Sequence, residues 1–169
     1  MKKIFIISDT HYNHPAIIDF CNRPKDYQKK IIKRWNSKVR EDDLVIHLWD
    51  VIFDRPSELF DINRRLNWTK VLVRGNHDKR WHTFYMNNWF SFVVDELRYN
   101  IEGGRELILS HIPKWKLTGN QLNIHGHLHN SWHRGWWGTD RHILYSPEIE
   151  NYFPILMDDL IKRAWKSET

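Results

Sequence analysis

Five short apolar runs in this chain each end in side chains that bind metal ions. The first is followed by Ser8-Asp9-Thr10-His11, the second by Trp49-Asp50, the third by Gly75-Asn76-His77-Asp78. The fourth ends at Ser110-His111 and the fifth at His125-Gly126-His127-Leu128-His129. Each group alone has an ordinary explanation. An Asp after a strand caps a helix or makes a turn, and Gly-Asn tolerates left-handed backbone. Five such groups in the same relation to a strand are a different matter. Mixed carboxylate and imidazole donors suit divalent transition ions such as Mn²⁺, Zn²⁺ or Fe. Two neighbouring cations need a shared anion between them, and one carboxylate can bridge both, as in two-metal sites that cleave phosphate esters.

These residues need a scaffold that brings strand ends together. Lys3 to Ile7, Leu44 to Leu48, Val71 to Val73, Leu107 to Leu109 and Leu122 to Ile124 have the length and composition of buried strands. Helices are expected from about Pro15 to Arg40, from Ser57 to Leu66 and from Lys79 to Asn88. His142 to Tyr145 and Tyr152 to Leu156 read as further strands, and Asp158 to Lys166 as a closing helix. Strands alternating with helices predict an α/β protein, whose ligands gather beyond the carboxyl ends of the strands.

Composition narrows the class. A chain of 169 residues without repeat, linker or low-complexity tract reads as one domain, residues 1–169. The apolar run Ile4 to Ile7 is too short for a membrane span or a signal peptide, so a cytoplasmic protein is expected, with no membrane partner. The single cysteine, Cys21, excludes an internal disulfide framework and a thiolate zinc knot. A net charge of +5 fits an anionic partner only weakly, because the basic residues are scattered.

Asp9-x-His11, Asp50, Gly75-Asn76-His77-Asp78, His111 and Gly126-His127-x-His129 occur in one order over about three quarters of the chain. In that order the sequence resembles the calcineurin-like metallophosphoesterases. The opening SDTHYNHPAII, followed by RP and WNSKV, looks like a small bacterial and phage-type branch. The resemblance implies a sandwich of two mixed β-sheets flanked by helices. It implies that Asp9, His11 and His129 hold one metal, that Asp50 bridges, and that Asn76, His111 and His127 hold the second. His77 would act beside the scissile phosphate, and Asp78 would steady the turn or orient His77. The sequence departs from the family at Trp49, where glycine normally precedes the bridging aspartate.

The expected function is dinuclear metal-dependent hydrolysis of phosphate esters by metal-bound hydroxide, with Asp50 and His77 as catalytic residues. Mn²⁺ is favoured, and Zn²⁺, Fe or Ni²⁺ fit the same donors. A phosphodiesterase acting on a nucleotide or nucleic acid is preferred. A phosphomonoesterase, a protein phosphatase, a single-strand nuclease and a non-catalytic binding module on the same fold stay open. His14 and Arg80 are the candidate substrate contacts, and Arg74 and Lys79 flank the same loop. The tract Ser131 to Gly138 interleaves Trp with basic residues, as base-stacking platforms do, although a flap or oligomer contact explains it as well. His47 is expected to pack away from the site, and His125 to end its strand.

Overall fold

A computed structural model describes residues 2–67, 69–75, 80–130 and 141–166, the side chains of 165 and 166 excepted. The first sheet contains β1 (Ile4–Ile7), β2 (Leu44–His47), β3 (Thr69–Val73), β4 (Phe92–Val94) and β9 (Ile155–Leu156), in the order β4-β3-β2-β1-β9. β1 to β4 pair in parallel and β9 runs antiparallel to β1. The second sheet, in the order β5-β6-β7-β8, contains β5 (Leu97–Ile101), β6 (Arg105–Leu109), β7 (Gln121–His125) and β8 (His142–Leu144). β5 is antiparallel to β6, and β6, β7 and β8 are parallel.

Both sheets are therefore mixed, and their core strands are buried. Ile6, Ile7, Val45, Ile46, Leu72 and Val73 from the first sheet share one apolar cluster with Leu107, Leu109, Leu122 and Ile124 from the second. Strands buried on both faces need continuous apolar runs, which is the pattern these segments carry. Helix α2 (Tyr27–Lys38) buries Tyr27, Ile31 and Trp35, a stripe at four-residue spacing. The short helices α3 (Leu59–Asn63) and α4 (His82–Met86) and the C-terminal α5 (Met157–Lys166) complete the layers. The α/β fold with two mixed sheets and flanking helices is thus present.

The long helix expected from Pro15 to Arg40 is broken. It divides into α1 (Ile17–Phe20) and α2, with residues 21–26 outside both. Pro24 disfavours helical geometry at Arg23, and Asn22 turns left-handed at φ 52°. The helix expected from Ser57 to Leu66 narrows to α3 after a 3₁₀ turn at Pro56–Glu58, and the one from Lys79 to Asn88 narrows to α4. β4 and β5 had no expectation in the sequence. Both lie at sheet edges, where half-buried strands lose the continuous apolar signature.

Parallel pairing decides where the chemistry goes. β1, β2 and β3 send their carboxyl ends to one edge of their sheet, and β6, β7 and β8 do likewise in theirs. No helix among the described residues is long and apolar enough to cross a membrane.

Candidate metal centre

Beyond β1 the backbone turns sharply. Asp9 and His11 both adopt left-handed geometry, at φ 52° and 46°. For residues with a β-carbon this costs roughly 1–2 kcal/mol each, so the turn needs support. Asp9 N–H donates to Trp49 O at 2.9 Å and His11 N–H to Asp50 O at 2.8 Å, which ties the turn to the one beyond β2. That second turn is left-handed too, at Trp49 (φ 77°) and Asp50 (φ 50°). Side chains hold the first turn from outside. Arg23 Nη2 donates to Asp9 O at 2.8 Å and Nη1 to Thr10 O at 3.1 Å, and the Tyr27 hydroxyl donates to His11 O.

Two groups of donors result. In one, Asp9, His11 and His129 place ligand atoms within 4.8 Å of one another; in the other, Asp50, His111 and His127 do the same. Asp50 joins the groups, because its Oδ2 lies 3.5 Å from His11 Nε2 and 3.4 Å from His111 Nε2. His129 Nε2 stands 3.6 Å from Asp9 Oδ1, and His127 Nδ1 stands 3.1 Å from His111 Nε2. The second sheet is locked to the first across this cluster. His111 Nδ1–H donates to Leu48 O at 3.0 Å, and His127 N–H donates to the Asp9 carboxylate at 3.1 Å. The first of these bonds fixes the His111 tautomer and leaves Nε2 facing Asp50.

The donor set suits divalent cations. His11 Nε2 and Asp50 Oδ1 are buried without a hydrogen-bond partner among the described residues. A buried polar atom without a partner is costly, and a bound cation would satisfy both of these. Charge is concentrated here as well. Burial alone would raise the Asp9 carboxyl, but contact with His11 and the charges of His111 and His129 hold it far below the carboxylate range. Burial alone would lower His111, yet the contact with Asp50 and the charge of Asp9 raise it. His129 is pushed up to about 10 against its burial by Cys21, Glu148 and Asp9. His127 moves the other way, lowered by burial and by the neighbouring His111.

Of the residues expected from sequence, Asp9, His11, Asp50, His111, His127 and His129 meet in this one cluster. Asn76, His77, Asp78, Lys79 and the tract from 131 to 138 lie outside the described residues. His14 reaches the rim. Its ring lies 5.3 Å from that of His11 and stacks on Phe53 at 4.0 Å. Arg80 is exposed and lies over the Phe84 ring at 5.9 Å, and Arg74 pairs with Asp95 at 2.8 Å. His47 is buried and meets Thr10 Oγ1 at 3.0 Å, and His125 meets its neighbour's carbonyl, Gly126 O. Neither belongs to the donor groups.

Three residues had no role in the sequence reading. Glu148 approaches His129 Nδ1 at 3.5 Å, Arg23 pairs with Glu148 at 2.7 Å, and Phe53 stands 59% exposed against His14. The RP pair at Arg23-Pro24 was a visible signal for the second of them. Trp49 is fully buried, with Tyr85 at 6.2 Å and His111 at 6.4 Å between ring centroids.

The family model of the calcineurin-like phosphoesterase superfamily domain matches residues 1–139. An uncharacterized protein of Methanocaldococcus jannaschii is 34% identical over 99% of this chain and 94% of its own. A protein of unknown function from Aquifex aeolicus, known from its crystal structure, superposes with a TM-score of 0.77 at 26% identity. That superposition covers 96% of this chain and 99% of the other. A Pseudomonas putida nuclease covers 75% of this chain at 22% identity and a TM-score of 0.48, too distant to bear on activity.

Proposed function

We propose, from the premise that this chain belongs to the calcineurin-like phosphoesterase superfamily, that it hydrolyses phosphodiesters at a two-cation centre organised around Asp50. The observation that carries the reading is the position of Asp50 Oδ2, 3.4–3.5 Å from one imidazole of each donor group. Asp9, His11 and His129 would hold one divalent cation, Asn76, His111 and His127 the other, and Asp50 would touch both. Mn²⁺ is the favoured ion, with Zn²⁺, Fe or Ni²⁺ compatible. Such a pair would supply Lewis acidity toward phosphoryl oxygens and make water a stronger acid at the site.

The protein's own groups supply position and proton control. Left-handed turns at Asp9, His11, Trp49 and Asp50 bring the carboxylates into one donor cluster, and the Leu48 carbonyl orients His111. His77 is assigned to the proton of the leaving oxygen, as general acid or as a donor to the phosphate. A diester is favoured over a monoester by the rim. The exposed Phe53 ring, backed by His14, offers a surface for a second, apolar substituent on phosphorus.

The test is a chelator-stripped protein reloaded with Mn²⁺ and assayed on bis(p-nitrophenyl) phosphate beside p-nitrophenyl phosphate. Metal-dependent turnover with the diester preferred is expected. Two tightly bound ions without turnover on either ester would point instead to a binding module, and preference for the monoester would remove the diesterase reading.

A further inference from the structure

His129 is the outermost donor of its group, and what lies behind its ring is unusual for a solvent-side histidine. Nε2 faces Asp9, while Nδ1, buried and without a hydrogen bond among the described residues, has the Glu148 Oε1 charge 3.5 Å away. The same Glu148 oxygen accepts from Arg23 Nε at 2.7 Å, and Glu148 Oε2 accepts from the buried Ser146 hydroxyl at 2.6 Å. The Arg23 side chain is fully buried. Its remaining two nitrogens do not point to solvent; they donate to Asp9 O and Thr10 O. One guanidinium therefore spans two components of the same donor group: the carboxylate behind His129, and the strained main chain that carries Asp9.

We infer that the buried Arg23–Glu148 pair is a positioning device for the cation held by Asp9, His11 and His129. Glu148 sets which nitrogen of His129 faces inward, and Arg23 holds Glu148 and the left-handed Asp9 turn in one rigid unit. The inference rests on the metal centre proposed above. Carboxylates behind ligand histidines orient the ring and raise its basicity, and their loss commonly costs ten- to a hundredfold in metal affinity. Arginine suits the task because its planar fork presents several donors in fixed directions, which lysine cannot copy. Isolated burial of Arg23 would be costly; three acceptors around it remove that cost.

A rival use of the same side chains is a third cation site, since Cys21, His129 and Glu148 also place ligand atoms within 4.8 Å of one another. The guanidinium at 2.7 Å from Glu148 argues against it. That carboxylate is already neutralised, and a divalent ion beside Arg23 would meet like charge at close range.

The experiment titrates chelator-stripped wild type, Glu148→Gln, Arg23→Lys and Ser146→Ala with Co²⁺, read by calorimetry and by the visible absorption of the bound ion. Melting in chelator checks that each variant folds. Wild type is expected to take up two ions. Glu148→Gln and Arg23→Lys should bind one of them about ten- to a hundredfold more weakly, with an altered spectrum for that ion and the other unchanged. Should either of these not fold, Ser146→Ala, which removes one bond from Glu148, decides by a smaller loss confined to one ion. Wild-type affinity for both ions in the variants would overturn the inference alone, as would equal weakening of both. A wild type that binds no ion would overturn the metal centre and this inference together.

Discussion

Gly126 approaches Asp9 so closely that a β-carbon at position 126 would lie 2.3 Å from Asp9 Oδ2 and 2.1 Å from Ser8 Oγ. The glycine is required by packing, since neither oxygen has room to retreat: Ser8 and Asp9 are fully buried, and the Ser8 hydroxyl donates to Leu48 O. Gly126→Ala should displace the Asp9 carboxylate and, with it, the His127 backbone bond. Gly75 stands in the same relation to His111, whose ring would come within 2.5 Å of a β-carbon there. We expect each alanine variant to lose one cation of the pair, read as metal content after dialysis, and activity to fall at least tenfold. A Gly126→Ala protein with full metal content would show that Asp9 is not a ligand.

This relationship also shows what the sequence made legible. The meeting of Asp9, Asp50, His111, His127 and His129 was legible because parallel strands send their carboxyl ends to a common edge, so candidate ligands follow the strand signal directly. Glu148 had no such signal. It lies in a turn after Tyr145-Ser146-Pro147, 125 residues from Arg23, and only the folded chain brings them together. The break between α1 and α2 was masked in a similar way. Apolar residues continue at helical spacing through Ile17, Ile18, Phe20, Ile31 and Trp35, whereas the interruption rests on Pro24 and the left-handed Asn22 alone.

Asp50 and His77 should separate under mutation. Asp50→Asn removes the charge facing both donor groups, so metal content and turnover should fall together, with activity down by two orders of magnitude or more. His77→Gln should keep both ions and lose turnover by about a hundred- to ten-thousandfold, the usual contribution of a positioned acid or base. Metal analysis beside the diester assay distinguishes them. Undiminished turnover in both variants would dismantle the proposed roles.

Trp49 occupies a left-handed position, where glycine has no β-carbon penalty, and the outcome of replacing it depends on two opposed effects. Its φ of 77° carries roughly 1–2 kcal/mol of strain that Trp49→Gly would relieve. The indole, however, is fully buried beside Tyr85 and His111, and removing a buried Trp costs about 3–5 kcal/mol. Cavity formation wins. Trp49→Gly should lower stability by about 1–4 kcal/mol in urea titrations. A variant more stable than wild type would mean that backbone strain, not packing, dominates at this turn.

Phe53 tests the diester reading at the rim. Its ring is held by stacking on His14, and Phe53 N–H donates to Tyr12 O at 2.9 Å. Phe53→Ala should raise KM several-fold for a diester bearing an aromatic or nucleoside group. It should change KM little for one bearing a methyl group, with kcat similar in both. An equal effect on the two substrates would remove Phe53 from substrate recognition.

The buried His47 gives the stability of the chelator-treated protein a pH dependence whose sign can be worked out. Burial lowers its pKa from 6.5 to about 3, the charges of Asp9 and Asp50 opposing only in part. Between those values the unfolded chain holds a proton on His47 that the folded chain does not, so unfolding takes up a proton. Stability from this group is complete above pH 6.5 and declines as pH falls towards 3, by roughly 1.4 kcal/mol per pH unit. His47→Gln can retain a hydrogen bond to Thr10 and has no proton to gain. The difference in unfolding free energy between wild type and His47→Gln should therefore shrink or reverse below pH 6.5, measured by urea titration at half-unit intervals from pH 5 to 8. A difference constant across that range would mean that His47 titrates alike in the folded and unfolded chain, and would refute the burial argument.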